Sequence, residues 1–158
     1  VLETLKYLKH ETCVWLEVTT LLIPGENDSS GELEAMTQWI VENLGADVPL
    51  HFSAFHPDYR MLSHPHTSVE TLSRARDIAI SAGLHYVYTG NVHDGPGGST
   101  YCPNCAARLI ERDWYQLGEW KLDGQSCCKT CGTWIAGVFE ELPGTWGRQR
   151  QVVRINSS

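Results

Sequence analysis

The stretch Cys13-Val14-Trp15-Leu16-Glu17-Val18-Thr19-Thr20-Leu21-Leu22-Ile23-Pro24-Gly25 decides the fold. β-Branched and aliphatic side chains dominate it until Pro24-Gly25 stops the run. That reads as a strand closed by a turn. Alternation puts Val14, Leu16 and Val18 on one face, suited to packing on helices, and Trp15, Glu17 and Thr19 on the other.

Helical periods flank this strand. Upstream, Leu2, Leu5 and Leu8 recur at helical spacing. Downstream, residues 31–44 carry Leu33, Met36, Ile40, Val41 and Leu44 on one face, with Gly45 placed as a C-terminal cap. Residues 50–55 read as a short strand. Ser68 caps a helix that runs through Ala82, with Leu72, Ala75, Ala79 and Ile80 toward the core and Gly83 ending it. Residues 85–91 read as a third strand. The order helix, strand, helix, strand, helix, strand predicts βαβ units and a parallel sheet, hence an α/β fold. Three parallel strands leave both edges open. Residues 1–95 are therefore expected to be the C-terminal portion of a partial (β/α) barrel whose first strands lie upstream. Val1 already stands inside a helical pattern without an N-cap, as expected of the back part of a longer protein.

The composition sets outer bounds. The 158 residues fit one domain plus a small module. Apolar content of 42% is enough for a core, and no stretch approaches the roughly 20 apolar residues of a membrane span. Residues 1–11 read as a charged amphipathic helix, not as a secretory segment. A formal charge of −7 argues against a chain built to grip nucleic acid by its phosphates. From Asp94 onward the texture changes. Gly95-Pro96-Gly97-Gly98 reads as a linker, residues 96–142 as a cysteine-bearing module, and residues 143–158 as a basic, polar tail.

Four of the six cysteines form Cys102-Pro103-Asn104-Cys105 and Cys128-Lys129-Thr130-Cys131, twenty-two residues apart. Two C-x-x-C turns can present four thiolates to one point, which is what a structural Zn²⁺ takes. Pro103 pre-sets φ in the first turn, and Gly132 can adopt a positive φ just past the second. Metal binding in a reducing cytosol fits this pattern better than a disulfide set. Iron in the same cage, as in rubredoxin, is the chemical competitor. Cys127 competes with Cys128 as ligand, and Cys128 restores the two-residue spacing. Arg108 and Lys129 stand near enough in sequence to offset part of the thiolate charge. Residues 109–122 are expected to form an antiparallel hairpin, with Trp114, Tyr115 and Trp120 giving bulk to a small core. Cys13 reads as a small buried hydrophobe.

Chemistry in parallel α/β proteins sits at the carboxyl ends of strands. A Glu facing a barrel lumen is costly without a partner, so Glu17 is a candidate; the alternative is a glutamate facing water. In the second strand His51, Ser53 and Phe55 alternate against Leu50, Phe52 and Ala54. His56-Pro57 then breaks out where a ligand-contacting histidine should stand, against the alternative of an exposed loop histidine. Asn91 and His93 lie at the mouth of the third strand, where turn chemistry alone also favours polar residues. Glu17, Ser53, His56 and Asn91 are the cofactor-contact candidates. His64 and His66 read as ordinary loop residues.

Three segments carry a resemblance. The run from Trp15 through Pro24-Gly25-Glu26-Asn27-Asp28 and the run Pro49-Leu50-His51-Phe52-Ser53-Ala54-Phe55-His56-Pro57-Asp58-Tyr59-Arg60 resemble radical SAM enzymes of the pyruvate formate-lyase activating type. Thr89-Gly90-Asn91-Val92-His93-Asp94, continued by Ser99-Thr100-Tyr101-Cys102-Pro103-Asn104-Cys105, is similar to the C-terminal part of the radical SAM member of the AmmeMemoRadiSam system. The resemblance covers nearly everything before the tail. It implies a partial (β/α)6 barrel binding S-adenosylmethionine (SAM) and a [4Fe-4S] cluster, with His56 matching a histidine that contacts SAM. Activases carry an Arg where this chain has Glu17, so the resemblance implies altered substrate-facing chemistry. The C-x-x-x-C-x-x-C cluster motif and the glycine-rich SAM strand are not in this chain; they are expected upstream.

Two function classes follow. One is the C-terminal fragment of a radical SAM enzyme acting on an unidentified substrate such as a protein or peptide, inactive by itself. The other is a zinc-ribbon binding module that recruits a protein or nucleic-acid partner through Arg108, Arg112, Lys121 and Lys129. Open sheet edges make self-association of the fragment plausible.

Overall fold

The computed structural model describes residues 1–139 and Gly144; of the expected tail, all but Gly144 lies outside them. The chain forms α1 (Leu2–Glu11), β1 (Val18–Leu22), α2 (Ser30–Leu44), β2 (Leu50–Ala54), α3 (Val69–Ser81) and β3 (Val87–Gly90). There follow α4 (Gly95–Gly98), β4 (Thr100–Tyr101), β5 (Arg108–Asp113) and β6 (Gln116–Trp120). The first three strands make a parallel sheet in the order β1-β2-β3, and the last three a separate antiparallel sheet in the order β4-β5-β6.

Local chemistry accounts for the helices. Ser29 caps α2 by accepting from the Glu32 amide, while its hydroxyl donates to the Glu32 carboxylate at 2.6 Å. Such a reciprocal pair fixes a helix start. Ser68 caps α3 by accepting from the Thr71 amide at 3.2 Å. The core lies between these helices and one face of the parallel sheet: Leu33, Ile40 and Leu44 from α2, Leu72, Ala75 and Ala79 from α3, and Leu50 and Phe52 from β2. Ile80, expected on that face, is 42% exposed instead, because each helical step turns the side chain about 100° away from its neighbour.

Strand β1 begins later than its composition suggests. Its first ladder bond runs from the Val18 amide to the Pro49 carbonyl at 2.9 Å. Residues 13–17 precede any partner strand and lie outside the ladder, so Cys13 is exposed and not a buried hydrophobe. Leu16 and Val18 still pack on the core. At the other end, buried Thr67 ties the strands together: its hydroxyl donates to Leu22 O at 2.6 Å and accepts from the Phe55 amide at 2.9 Å. Strand β3 is likewise confined to Val87–Gly90, shorter than the expected 85–91, since the His85 amide bonds to Ala46 O beside the sheet.

The expected linker at residues 95–98 is a one-turn helix with Asp94 as its cap. Asp94 accepts from the Gly97 amide at 3.0 Å and from the Thr89 hydroxyl at 2.8 Å. These bonds fasten the turn to β3. A Cβ on Gly97 would fall far inside contact with both Asp94 and Thr89. At Gly97 the joint needs a glycine for close packing.

The second core belongs to the antiparallel module but borrows from the parallel sheet. Leu109, Ile110, Leu122, Ile135 and two of the cysteines gather around Tyr86, with Tyr88 packed alongside. Tyr86 is 3% exposed, and its phenol oxygen accepts from the Ala136 amide at 3.3 Å. Trp120 packs on this core, whereas Trp114 and Tyr115 form the β5–β6 turn and are 45% and 65% exposed. Only one of the three expected aromatic core residues contributes. A two-residue turn points away from the sheet that it closes.

Two outcomes follow from these joints. Gly97→Ala is expected to lower stability by ~1–3 kcal/mol in denaturant unfolding, because the strained contacts have little room to relax. Burial pushes the Tyr86 phenol up to about 12 from an ordinary value near 10, against the Ala136 amide that favours its ionised form. A group whose folded pKa is raised stabilises fully below its unfolded value and loses that contribution as pH rises through the folded one. Unfolding midpoints should therefore fall between pH 10 and about 12. Tyr86→Phe should flatten that decline.

Candidate functional site

The two knuckles are built alike. In the first, the Cys102 amide bonds to Ala107 O at 2.9 Å and the Ala106 amide returns to Cys102 O at 2.9 Å. In the second, the Cys128 amide bonds to Thr133 O and the Gly132 amide to Cys128 O, both at 2.8 Å. Each turn closes on a left-handed residue just past its second cysteine, Ala106 at φ 57° and Gly132 at φ 76°. Glycine adopts that conformation freely; alanine does so only under constraint.

The turns bring Cys102, Cys105, Cys128 and Cys131 together, with all four sulfurs within 4.8 Å of one another. The Cys102–Cys131 and Cys105–Cys128 sulfurs are 3.5 and 3.8 Å apart. A tetrahedral Zn²⁺ with bonds of about 2.3 Å needs sulfur separations of about 3.8 Å. The donor set therefore fits a metal ion. Cys127 lies outside the cluster and its thiol faces Gln125 O at 3.6 Å. Neighbouring residues on extended backbone point to opposite sides, so only one of the Cys127-Cys128 pair can face the centre.

The thiols do not ionise alike. Cys131 Sγ lies 3.2 Å from the Thr133 hydroxyl. That group, with the Thr133 amide, holds the Cys131 thiol down to about 6. Burial opposes ionisation of Cys128, but the amides of Cys131 and Thr130 outweigh it and lower its pKa. The Ala107 amide favours a Cys105 thiolate, yet Cys131, burial, Cys102 and Cys128 together push that thiol up to about 12. Four thiolates this close repel one another unless a cation sits among them. Asp123 braces the second knuckle by accepting from the Cys127 and Gln125 amides, which keeps its carboxyl below the usual range.

Two of the four basic residues expected on the ribbon's contact face are ion-paired. Arg108 pairs with Glu111 at 3.0 Å and Glu119 at 3.9 Å, and Lys121 with Glu119 at 2.9 Å. Arg112 lies over the ring of Tyr88.

Beside the parallel sheet, on the face away from α2 and α3, lies a cleft of about 700 Å³ walled on its far side by the β5–β6 hairpin. Glu17 lines it just ahead of β1, not at a carboxyl end. Its carboxylate meets His51 Nε2 at 2.8 Å and accepts from Trp15 Nε1 at 2.8 Å. His51 stacks on Tyr88 with centroids 4.9 Å apart, and burial pushes the Tyr88 phenol up. Asn91 lines the same cleft from the end of β3, at φ 60°. Ser53 shares the strand face of His51, one residue pair further on, and pairs in register with Gly90. His56 stands apart: it is exposed beyond β2, its ring 6.0 Å from that of His66. The structure thus places Glu17 and Asn91 together, Ser53 on the same sheet face, and His56 outside the cleft lining.

Sequence reasoning passed over His51 and Tyr88 as site residues and named Arg112 only for a contact face of the ribbon. Strand parity held a signal for the first, since Thr19 pairs with His51 and Glu17 is two residues before Thr19. Nothing in the sequence signals that Arg112 lies over Tyr88, a contact made only through the docking of two sheets.

No protein-family model matches the chain. The uncharacterized protein MJ0808 of Methanocaldococcus jannaschii is 47% identical to it over 133 residues, which cover 84% of this chain and 40% of that protein. The chain thus spans less than half the length of this relative. Among the described residues, no helix is long and apolar enough to cross a membrane.

The purified chain is expected to hold about one zinc per monomer by elemental analysis, with no labile sulfide. Cys128→Ser should lose the metal and Cys127→Ser should keep it. Visible charge-transfer absorption would identify iron instead.

Proposed function

We propose that residues 1–95 are the C-terminal strands of a radical SAM barrel and that residues 96–142 are a structural zinc ribbon closing its end. The supporting observation is the sheet face opposite the helices. Parallel sheets are normally covered on both sides; here Thr19, Leu21, His51 and Ser53 occupy a face opposite the packing of α2 and α3, which no helix among the described residues covers, and Leu21 is exposed on it. In a barrel this face is the lumen. The resemblance of the strand and turn segments to the activating enzymes points the same way, as does a relative more than twice as long as the match.

A [4Fe-4S] cluster would supply the electron for reductive cleavage of SAM, but the cysteines described here do not fit it. Four face one another across a single centre, and the C-x-x-x-C-x-x-C spacing is lacking. No cleavage step is assigned to this chain. Its residues form one wall of the cavity, with Glu17, Ser53 and Asn91 toward SAM or substrate and His56 at the strand end where the resembling enzymes contact SAM. The substrate class left open by the resemblance includes proteins and peptides.

The second reading, a ribbon that recruits a partner, draws on the exposed Trp114, Tyr115 and Trp134, since aromatic side chains are enriched at interfaces. Activity separates the two. The 158-residue chain alone should not cleave SAM under reducing conditions. A longer protein carrying the upstream cysteines should release methionine and 5′-deoxyadenosine, and His56→Ala in it should weaken SAM binding several-fold. Cleavage by the short chain, or an upstream sequence without the cluster motif, overturns the barrel reading.

A further inference from the structure

The cleft beside the sheet contains a cation, Arg112, that finds no counter-charge among the described residues. Arg112 Nη1 donates to Thr100 Oγ1 at 2.6 Å and to Gly98 O at 3.5 Å. Thr100 is buried, and its hydroxyl also meets the Tyr88 phenol at 3.0 Å. The guanidinium carbon sits 5.5 Å from the centre of the Tyr88 ring. One edge of the group is therefore fixed by hydrogen bonds and a face by the ring. Among the described residues, Nε and Nη2 have no hydrogen-bond partner, and Arg112 makes no ion pair.

Among the described residues Arg74 and Arg108 each find a carboxylate, whereas Arg60, Arg76 and Arg112 do not. The carboxylates lining the cleft are engaged elsewhere or face solvent: Glu17 with His51 and Trp15, Asp94 with Thr89 and Gly97, Asp113 exposed at the turn. An ordered guanidinium with free N–H groups is the fork that recognises carboxylate and phosphate. Much of the hairpin side of the wall is aromatic, with Trp114, Tyr115, Trp120 and Phe139 lining the same space. Flat apolar walls with one charged anchor select a ligand by shape and by a single ionic contact.

We infer that Arg112 is the anion anchor of this cleft, which takes an organic anion with a flat apolar body: carboxylate or phosphate on the guanidinium, body against the aromatic hairpin. The inference rests on the cleft being the substrate side of the proposed barrel, and it names the substrate's chemistry. It also gives the metal a second consequence. Strand β5 starts three residues after Cys105, and β6 runs into the Leu122–Cys128 bridge. The metal centre thus holds both roots of the hairpin that carries Arg112.

The test is titration of the zinc-loaded 158-residue chain with benzoate, phenyl phosphate and the neutral benzyl alcohol, followed by the fluorescence of the tryptophans lining the cleft. At least one anion should bind saturably and the alcohol should not; the stronger anion tells carboxylate from phosphate. Arg112→Gln should weaken binding at least about tenfold, as loss of charge-assisted hydrogen bonds does, and Arg112→Lys should weaken it less. Tyr115→Glu, at an exposed turn position, should repel the anion without touching Arg112. Equal binding of the alcohol, no binding of either anion, or unchanged affinity in Arg112→Gln with its zinc retained overturns the anchor. None of these titrations involves SAM, so a longer protein that fails to cleave SAM overturns the barrel reading separately.

Discussion

A parallel sheet has to hide both faces, because its connections run over the surface and its strands are rich in apolar side chains. In this chain that constraint is met on one side only. The packing of α2 and α3 covers Leu50, Phe52, Val87 and Leu22 completely. On the other side, cover among the described residues comes from the antiparallel module, and it reaches the β3 end of the sheet through Tyr86 and Tyr88. The β1 end keeps Leu21 exposed. The cleft is what remains between a sheet face that wants a partner and a module that covers part of it.

The module covers that much because its own core is not self-sufficient. Leu109, Ile110, Leu122 and Ile135 are too few to support an independent domain, and small modules of this kind take much of their folding energy from a metal. Tyr86 adds the remaining bulk from outside. Ribbon and sheet are thereby linked through the shared aromatic core, through Asp94, whose carboxylate fastens α4 to β3, and through Trp114 at His93. A change at the metal centre is felt at the cleft through the first link, since Cys102 and Cys128 belong to the same packed cluster as Tyr86.

The sequence made legible whatever is decided within a few residues. Ser68 and Gly45 mark helix ends through local hydrogen bonds, and both stand at or beside the expected ends. The C-x-x-C turns present their cysteines through their own backbone bonds, which is why the four-thiol cluster and the choice of Cys128 follow from spacing. Other features depend on partners distant in the chain. Residues 13–17 have strand composition but nothing to pair with. Gly95-Pro96-Gly97-Gly98 has linker composition, yet Asp94 and Thr89 turn it into a packed joint. Trp114 and Tyr115 have core composition, yet a two-residue turn sends them outward. Arg112 over Tyr88 requires the docking of two sheets, and no local pattern encodes that.

Strain shows what holds the hairpin in place. Ala106 and Trp114 both adopt left-handed backbone, at φ 57° and 54°, where a residue with a Cβ is disfavoured by roughly 1–2 kcal/mol. Such residues persist only where their surroundings over-determine them. For Ala106 the surroundings are the first knuckle and its ligands. For Trp114 they are His93, whose Nδ1 accepts from the indole Nε1 at 2.6 Å with the rings 5.0 Å apart. The hairpin is therefore pinned at its root by the thiol cluster and at its tip by a histidine at the mouth of β3. Arg112 lies between those two pins. A guanidinium stacked on a tyrosine keeps one orientation only if the strand beneath it cannot shift, and that rigidity comes from strained residues at both ends of the same hairpin.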